Sequence, residues 1–152
     1  MKEIAITDHS DFVMRKPMTP FRDQGYPEGL YEFYPSGARY DLKRWQNVHN
    51  DVKVIFGVEA DVMNEQGEVC FTIQGQKPDF ILLALHSERY RSEPETATLG
   101  LVNAIEKYHD EIVCICHPCD RYQFGEYIDI KKIVETANKY HIPIELNGKT
   151  MC

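Results

Sequence analysis

The sequence predicts an α/β fold built on a parallel sheet, and two observations support this prediction. Five short runs rich in β-branched and other apolar residues recur along the 152-residue chain, and most are apolar throughout instead of alternating with polar residues. Strands that are covered by helices on both faces have this continuous apolar character, because neither face meets water. Helical patterns lie between several of the runs, where the crossover connections of a parallel sheet belong. The five predicted strands are residues 4–7, 52–58, 80–85, 112–116 and 142–146.

The connections between the first three predicted strands differ in character. Residues 10–37 contain several prolines and aromatic residues without a clear period, which predicts a long loop of the kind that often contacts a ligand. Residues 38–49 are predicted to form a helix that leads into the second strand. After that strand, residues 60–70 predict a hairpin that turns around Asn64 and Gly67.

Two further helices are predicted before and after the fourth strand. Ser92 and Glu95 have the spacing of a capping box, and Asp129 is a suitable N-cap for the second helix. Apolar residues at helical spacing predict the buried face of each helix. The predicted face is Leu99, Val102 and Ile105 in the first helix, and Ile130, Ile133, Val134 and Ala137 in the second.

Composition and charge argue against several functional classes. Hydrophobic residues make up 43% of the chain, which is enough for one core, so residues 1–152 are predicted to form a single domain. The net charge of -7, with acidic and basic residues interleaved, leaves no basic stripe for nucleic acid. The longest apolar run, residues 80–85, is too short to cross a bilayer, and the first residues lack the apolar stretch of a signal peptide. No membrane association and a cytoplasmic location are therefore expected. The five cysteines fit free thiols in a reducing compartment.

Polar side chains that can bind metal follow every predicted strand. Because the carboxyl ends of parallel strands meet at one edge of a sheet or in one mouth of a barrel, these side chains are expected to converge. Neutral imidazole and carboxylate together suit zinc, iron or manganese, and such an ion makes water nucleophilic near neutral pH. The strand-end residues are Asp8, His9, Glu59, His86, His117, Glu145 and Asn147.

A structural role competes with metal binding for each histidine. A single histidine at a strand end is more often a hydrogen-bonded structural residue than a ligand, but three at successive strand ends favour metal binding. A buried carboxylate without a cation would be costly, which favours a ligand role for Glu59. Three other histidines, namely His49, His109 and His141, lie at or just beyond predicted helix C-termini, where their structural role is to interact with the helix dipole.

The cysteine-rich segment at residues 114–119 suggests a competing zinc or iron-sulfur site. Strand alternation argues against it, because an inward-facing His117 predicts that Ile115 also faces the mouth while Cys114 and Cys116 face the helices. Cys119, beyond the strand, is left as a possible extra ligand. A single C-x-C without a second pair is weak support for a zinc site.

Five motifs, AITDH, GVEADV, ALHS, CHP and IELN, occur in the order and at roughly the spacing found in one family. The chain resembles the PHP (polymerase and histidinol phosphatase) family, and within it the YcdX-like phosphatases. The resemblance implies hydrolysis of a small phosphate monoester by a metal-bound hydroxide. It assigns metal binding to His9, Glu59, His86 and His117, with the last three as the catalytic site, and leaves Asp8 without a ligand role.

The sequence departs from this family at both ends. PHP proteins carry an H-x-H motif on a first strand and a D-x-H motif on a last strand, and neither is found here. The resemblance therefore implies a single truncated PHP domain, with an incomplete (β/α)7 TIM-like barrel of about five parallel strands and crossover helices. An opened barrel exposes strand edges, so a homo-oligomer is expected.

The resemblance leaves open how a phosphorylated substrate is bound and whether the chain is active. Arg89, Arg91 and Asn147 are the predicted substrate-binding residues, with Arg15 or Lys16 as further candidates, since guanidinium groups suit phosphate oxygens. Solvated surface charge is an equally good interpretation of the basic residues. The alternative function is a catalytically incomplete PHP remnant that binds one metal or a phosphorylated ligand. A hydrolase of the amidohydrolase type, acting on a substrate without phosphate, fits the motif order less well.

Overall fold

The computed structural model describes residues 2–10, 12–15, 32–35, 51–73, 75–86, 94–118 and 128–146. Within these ranges the chain has an α/β fold, as the sequence predicts. The strands are β1 (Glu3–His9), β2 (Phe12–Arg15), β3 (Glu32–Pro35), β4 (Lys53–Val62), β5 (Val69–Cys70), β6 (Phe80–Ala84) and β7 (Ile112–Ile115), and the helices are α1 (Pro94–Tyr108) and α2 (Ile130–Lys139).

The main sheet has the order β1-β4-β6-β7, and these four strands are parallel. Strand β5 joins the sheet antiparallel to the end of β4. Helix α1 connects β6 to β7, which is the crossover position expected between parallel neighbours. This sheet of five mostly parallel strands fits an incomplete TIM-like barrel.

The hydrophobic core lies between one face of this sheet and the two helices. On β4, Val58, Ala60 and Val62 are fully buried on this face, and their neighbours Ile81 and Leu83 on β6 continue it. Burying each large aliphatic side chain contributes about 2 kcal/mol to stability. On the opposite face, β4 carries Glu59 and Asp61 beside Leu82 and Ala84 of β6. Among the described helices, none has the length and apolar character needed to span a bilayer.

Both helices are found near their predicted positions, but their buried faces were only partly predicted. Leu99 is 42% exposed and Val134 is 37% exposed, so the prediction that they are buried is wrong. The prediction for α1 followed its large side chains. The helix instead buries Ala97 and Ala104, whose small side chains allow close packing. Asp129 caps α2 as predicted and accepts a hydrogen bond from the backbone N–H of Lys132 (3.1 Å). The fully or almost fully buried hydrophobic residues are Ala97, Leu101, Ala104 and Ile105 in α1, and Ile133 and Ala137 in α2.

The hairpin formed by the end of β4 and by β5 is confirmed, and it packs on α1. Its turn is closed by a hydrogen bond from the N–H of Gly67 to the carbonyl of Asn64 (3.0 Å). Gly67 has a φ of +74°, and a Cβ there would lie 2.3 Å from the backbone nitrogen of Ala104. Asn103 of α1 donates a side-chain hydrogen bond to the carbonyl of Glu65 (2.7 Å). The hairpin is thereby fixed on α1 at the end of β4.

Of three further segments predicted from the sequence, two differ from the prediction and one lies outside the described residues. Within the predicted loop, β2 and β3 form a two-stranded antiparallel sheet, so the prediction of a loop without strands is wrong for those residues. The fifth predicted strand is reduced to one parallel bridge, between Ile115 and Ile144. The helix predicted at residues 38–49 lies outside the described residues.

Candidate metal centre

Four side chains from four different segments meet at the carboxyl end of the parallel sheet. His9 is the last residue of β1 and is the register partner of Glu59 on β4. Glu59 in turn is the register partner of Leu82 on β6, and His86 follows that strand on the same face as Leu82. His117 follows β7. The predicted convergence of these residues is thus found in the structure.

The carboxylate of Glu59 is the centre of the group. Its Oε1 lies 2.7 Å from Nε2 of His117 and 3.2 Å from Nε2 of His86. Its Oε2 lies 3.3 Å from Nδ1 of His9. The rings of His9 and His86 are nearly perpendicular, with their centroids 4.7 Å apart, and those of His86 and His117 are 5.4 Å apart. Three imidazole nitrogens therefore point toward one carboxylate.

His86 is the most enclosed of the three histidines, and it has a second carboxylate on its other side. Its side chain is only 5% exposed, against 30% for His9. Oδ1 of Asp61, which is fully buried, lies 3.2 Å from Nδ1 of His86 and accepts a hydrogen bond from the backbone N–H of His86 (2.9 Å). The imidazole of His86 is thus held between Asp61 and Glu59.

Asp61 is not among the site residues predicted above, although its position in the sequence carries a signal. Asp61 stands two residues beyond Glu59 on the same strand, so the two side chains share a face of the sheet. An acid within an otherwise apolar strand needs a partner, since burying it alone would be costly.

His117 reaches the group through an unusual backbone conformation. Its φ is +32°, in the left-handed region that non-glycine residues seldom adopt. A carboxylate oxygen of Glu145 accepts a hydrogen bond from the backbone N–H of His117 (3.0 Å) and so holds this turn in place. Such a conformation is strained and persists only where the surrounding structure holds it in place. Residues of this kind cluster at functional sites.

The turn at His117 also explains why the predicted orientation of the cysteines is wrong. The prediction extended regular strand alternation through His117, whereas the positive φ reverses the direction of its side chain. Ile115 is fully buried in the core against the helices. Cys114 is the register partner of Leu82 and therefore lies on the Glu59 face, as does Cys116 two residues later.

The two thiols nevertheless have the environment of protonated groups. Burial, followed by the negative charge of Glu59, raises the pKa of Cys116 to about 12. Burial and the charge of Glu145 also raise the pKa of Cys114. Both residues, like Cys70, have free thiols. Cys119, the possible extra ligand, lies outside the described residues.

The side chains of this group shift one another's pKa values. Burial raises the pKa of the Glu59 carboxyl, but hydrogen bonds with His117 and His86 and the charges of His86 and His9 outweigh it and hold the pKa well below its ordinary value. Burial lowers the pKa of His86, but hydrogen bonds to Asp61 and Glu59 and their charges outweigh it and raise the pKa to about 9. A proton on His86 therefore offsets part of the negative charge of the two carboxylates that flank it.

The same donor atoms fit a divalent cation. One ligand atom from each of His9, Glu59 and His86 lies within 4.8 Å of the others, so a single ion can contact all three. Imidazole nitrogen and carboxylate oxygen are suitable ligands for zinc, manganese or iron. His117 contacts the same carboxylate oxygen of Glu59 as His86 does. An ion at this place would replace the proton on the nitrogen of His86 that faces Glu59.

The profile of the PHP domain family matches residues 1–147. The chain belongs to the PHP domain family. Among curated proteins, this PHP chain is similar to a probable phosphatase of Shewanella frigidimarina, with 32% identity over 101 residues that cover 65% of the chain and 39% of the relative. It is 31% identical to a probable phosphatase of Caldanaerobacter subterraneus (65% of the chain, 38% of the relative). It is 26% identical to the probable phosphatase YcdX of Shigella flexneri (72% and 44%). The chain thus spans about two fifths of the length of these relatives.

The other predicted site residues fall partly outside the described part of the chain. Arg89, Arg91 and Asn147 lie outside the described residues, so their predicted role in substrate binding stays a prediction. The carboxylate of Asp8 accepts a hydrogen bond from the backbone N–H of His9 (2.8 Å). His109 follows α1, and its Nδ1 lies 3.1 Å from the carbonyl of Glu106 on the exposed surface, as expected for a histidine at a helix C-terminus.

Proposed function

We propose that this PHP chain is a metal-dependent phosphoesterase that hydrolyses a small phosphate monoester. The observation that carries the proposal is the arrangement of His9, His86 and His117 around the carboxylate of Glu59. The names of the relatives, which are probable phosphatases, support phosphate as the group on which it acts.

The residues of the chain have distinct roles in this proposal. Glu59, His86 and His117 form the catalytic site, and together with His9 they hold divalent zinc, manganese or iron. When bound, such an ion lowers the pKa of water and neutralises charge on the phosphate oxygens. The ligand set contains one carboxylate among neutral imidazoles, so a divalent ion keeps positive charge with which to attract a phosphate dianion. The turn at His117 and the strand register at His9 fix these side chains before the substrate binds, which favours catalysis.

A second function is favoured by the group of His9, Glu59 and His86, which is the one candidate metal cluster found among the described residues. The alternative is a PHP remnant that binds one metal ion or a phosphorylated ligand without hydrolysing it. Metal stoichiometry separates the two functions. Two or three ions per chain would support the enzyme, whereas one ion without hydrolysis would support the remnant.

We also propose that the chain acts in the cytoplasm as a homo-oligomer. Strand β1 pairs with β4 along one edge, and none of the described strands lies along its other edge. Ile4 on this strand is 43% exposed. A second copy that covers β1 would bury this apolar surface and pair the strand edge.

The proposed activity can be tested with the metal-stripped protein and a generic aryl phosphate. Adding manganese or zinc should produce hydrolysis, and Glu59→Gln should lower the rate by at least about 100-fold because the central ligand loses its charge. Glu135→Gln is a matched control, since it removes an exposed carboxylate that pairs with Lys131 one turn earlier in α2. Equal rates for the two variants, or hydrolysis that does not depend on added metal, would overturn the proposal.

A further inference from the structure

Asp61 is a buried acid that the proposed chemistry leaves unexplained. Its side chain has no exposed surface, and a carboxylate is seldom buried to this extent without a specific partner. Two contacts of its Oδ1 go to a single residue, His86: the backbone N–H at 2.9 Å and the ring Nδ1 at 3.2 Å.

We propose that Asp61 is a positioning residue of the metal site, which keeps a proton on Nδ1 of His86 and so reserves Nε2 for the metal ion. This inference rests on the proposed function, because it assumes that His86 is a metal ligand. A neutral imidazole has one N–H and one lone pair, and an ionised carboxylate can only accept a hydrogen bond. The nitrogen that faces Asp61 must therefore carry the proton, and the lone pair must lie on the opposite nitrogen.

The direction of that opposite nitrogen supports the assignment. Nε2 of His86 points to Oε1 of Glu59 (3.2 Å), which is the side of the ring where the other candidate ligands gather. Histidines that bind metals commonly donate the other ring N–H to a carboxylate, which fixes the tautomer and makes the ligand nitrogen more basic. Here Asp61 would accept the Nδ1–H of His86, and Nε2 of His86 would bind the cation.

The sheet explains how Asp61 comes to this position. Asp61 lies two residues beyond Glu59 on β4 and is the register partner of Ala84, which lies two residues before His86. The two carboxylates of β4 thus lie one after the other along the strand, and the ring of His86 spans them. The hydrogen bond from the backbone N–H of His86 to Asp61 also holds the segment after β6. Asp61 therefore fixes both the ring and the backbone of His86.

The test compares Asp61→Asn with a control variant in the metal-stripped protein. Asparagine has nearly the same size as aspartate, but its uncharged carbonyl oxygen accepts the Nδ1–H of His86 more weakly than a carboxylate does. We expect Asp61→Asn to weaken zinc binding by about 10- to 100-fold, measured by competition with a chromophoric chelator. Asp129→Asn is the control, since this carboxylate also accepts a backbone N–H but caps a helix away from the site. It should leave zinc affinity within about twofold of the wild type.

A second measurement needs no variant and reads the tautomer directly. In wild-type protein loaded with cadmium-113 and labelled with nitrogen-15, the cadmium should couple to Nε2 of His86, while Nδ1 should carry a proton. Coupling to Nδ1 instead would overturn the inference, as would equal zinc affinity in Asp61→Asn and the wild type. A wild-type protein that binds neither zinc nor cadmium would overturn the proposed metal site itself, which is a different result.

Discussion

The carboxylate of Glu59 and the imidazole of His86 form the pair on which the chemistry of this site depends. His86 lies between two carboxylates, and its raised pKa of about 9 means that the metal-free protein carries protons on both ring nitrogens at neutral pH. The proton on the Glu59 side occupies the position where a metal ion would bind. Proton and metal are therefore competitors at the same nitrogen.

Metal binding should release a proton at neutral pH for this reason. Isothermal titration of the metal-stripped protein with zinc at pH 7.5, in buffers that differ in ionisation enthalpy, should show at least about one proton released per ion. The affinity should rise as the pH rises toward 9. The same affinity at pH 7 and pH 9, with no proton release, would contradict the charge state inferred for His86.

The same group predicts how the stability of the metal-free protein changes with pH. The pKa of His86 is raised in the folded protein from 6.5 to about 9, so its stabilising contribution is complete below about pH 6.5 and is lost as the pH rises through 9. Urea denaturation in the presence of a chelator should show a loss on the order of 2 kcal/mol between pH 6 and pH 9.5. His86→Asn lacks the titrating ring and should lose clearly less over this range. A wild type as stable at pH 9.5 as at pH 6 would refute the prediction.

At the scale of elements, the hairpin of β4 and β5 depends on a glycine that touches a helix. Gly67→Ala should destabilise the protein by about 2–4 kcal/mol, because the added methyl group meets the backbone of α1 and the φ of +74° disfavours alanine. Gly75→Ala is the matched control, since Gly75 has a φ of +70° but nothing lies within 4 Å of its added Cβ. It should lose only about 1 kcal/mol through backbone strain.

Urea denaturation of both variants measures this difference. Similar losses for Gly67→Ala and Gly75→Ala would show that the contact with α1 does not hold the hairpin.

The strands follow from the apolar pattern of the sequence, whereas departures from regular strand geometry leave no such pattern. Four of the five predicted strands form, because β-branched and other apolar residues in short runs favour a strand. The positive φ of His117 cannot be read from a period of two, so the orientation of Cys114 and Cys116 was predicted wrongly. The convergence of His9, Glu59 and His86 needed only the strand order of a parallel sheet, and it was predicted.

The whole molecule presents strand β1 at one edge of its described sheet. If a second copy covers this edge, Ile4→Lys should weaken the oligomer at least about tenfold, since a charge would be buried in the interface. Leu99→Lys is the matched control, because Leu99 has nearly the same exposure (42%) but lies on α1.

Analytical ultracentrifugation across micromolar concentrations measures this effect. A wild type that stays monomeric throughout this range would reject the proposed homo-oligomer.

The central claim for the whole molecule is that segments far apart in sequence gather around one cation at the carboxyl end of the sheet. Anomalous diffraction from crystals grown with manganese or zinc tests it most directly. A peak within coordination distance of Glu59, Nδ1 of His9 and Nε2 of His86 is the predicted result. Strong anomalous peaks elsewhere, with none in contact with Glu59, would contradict the account.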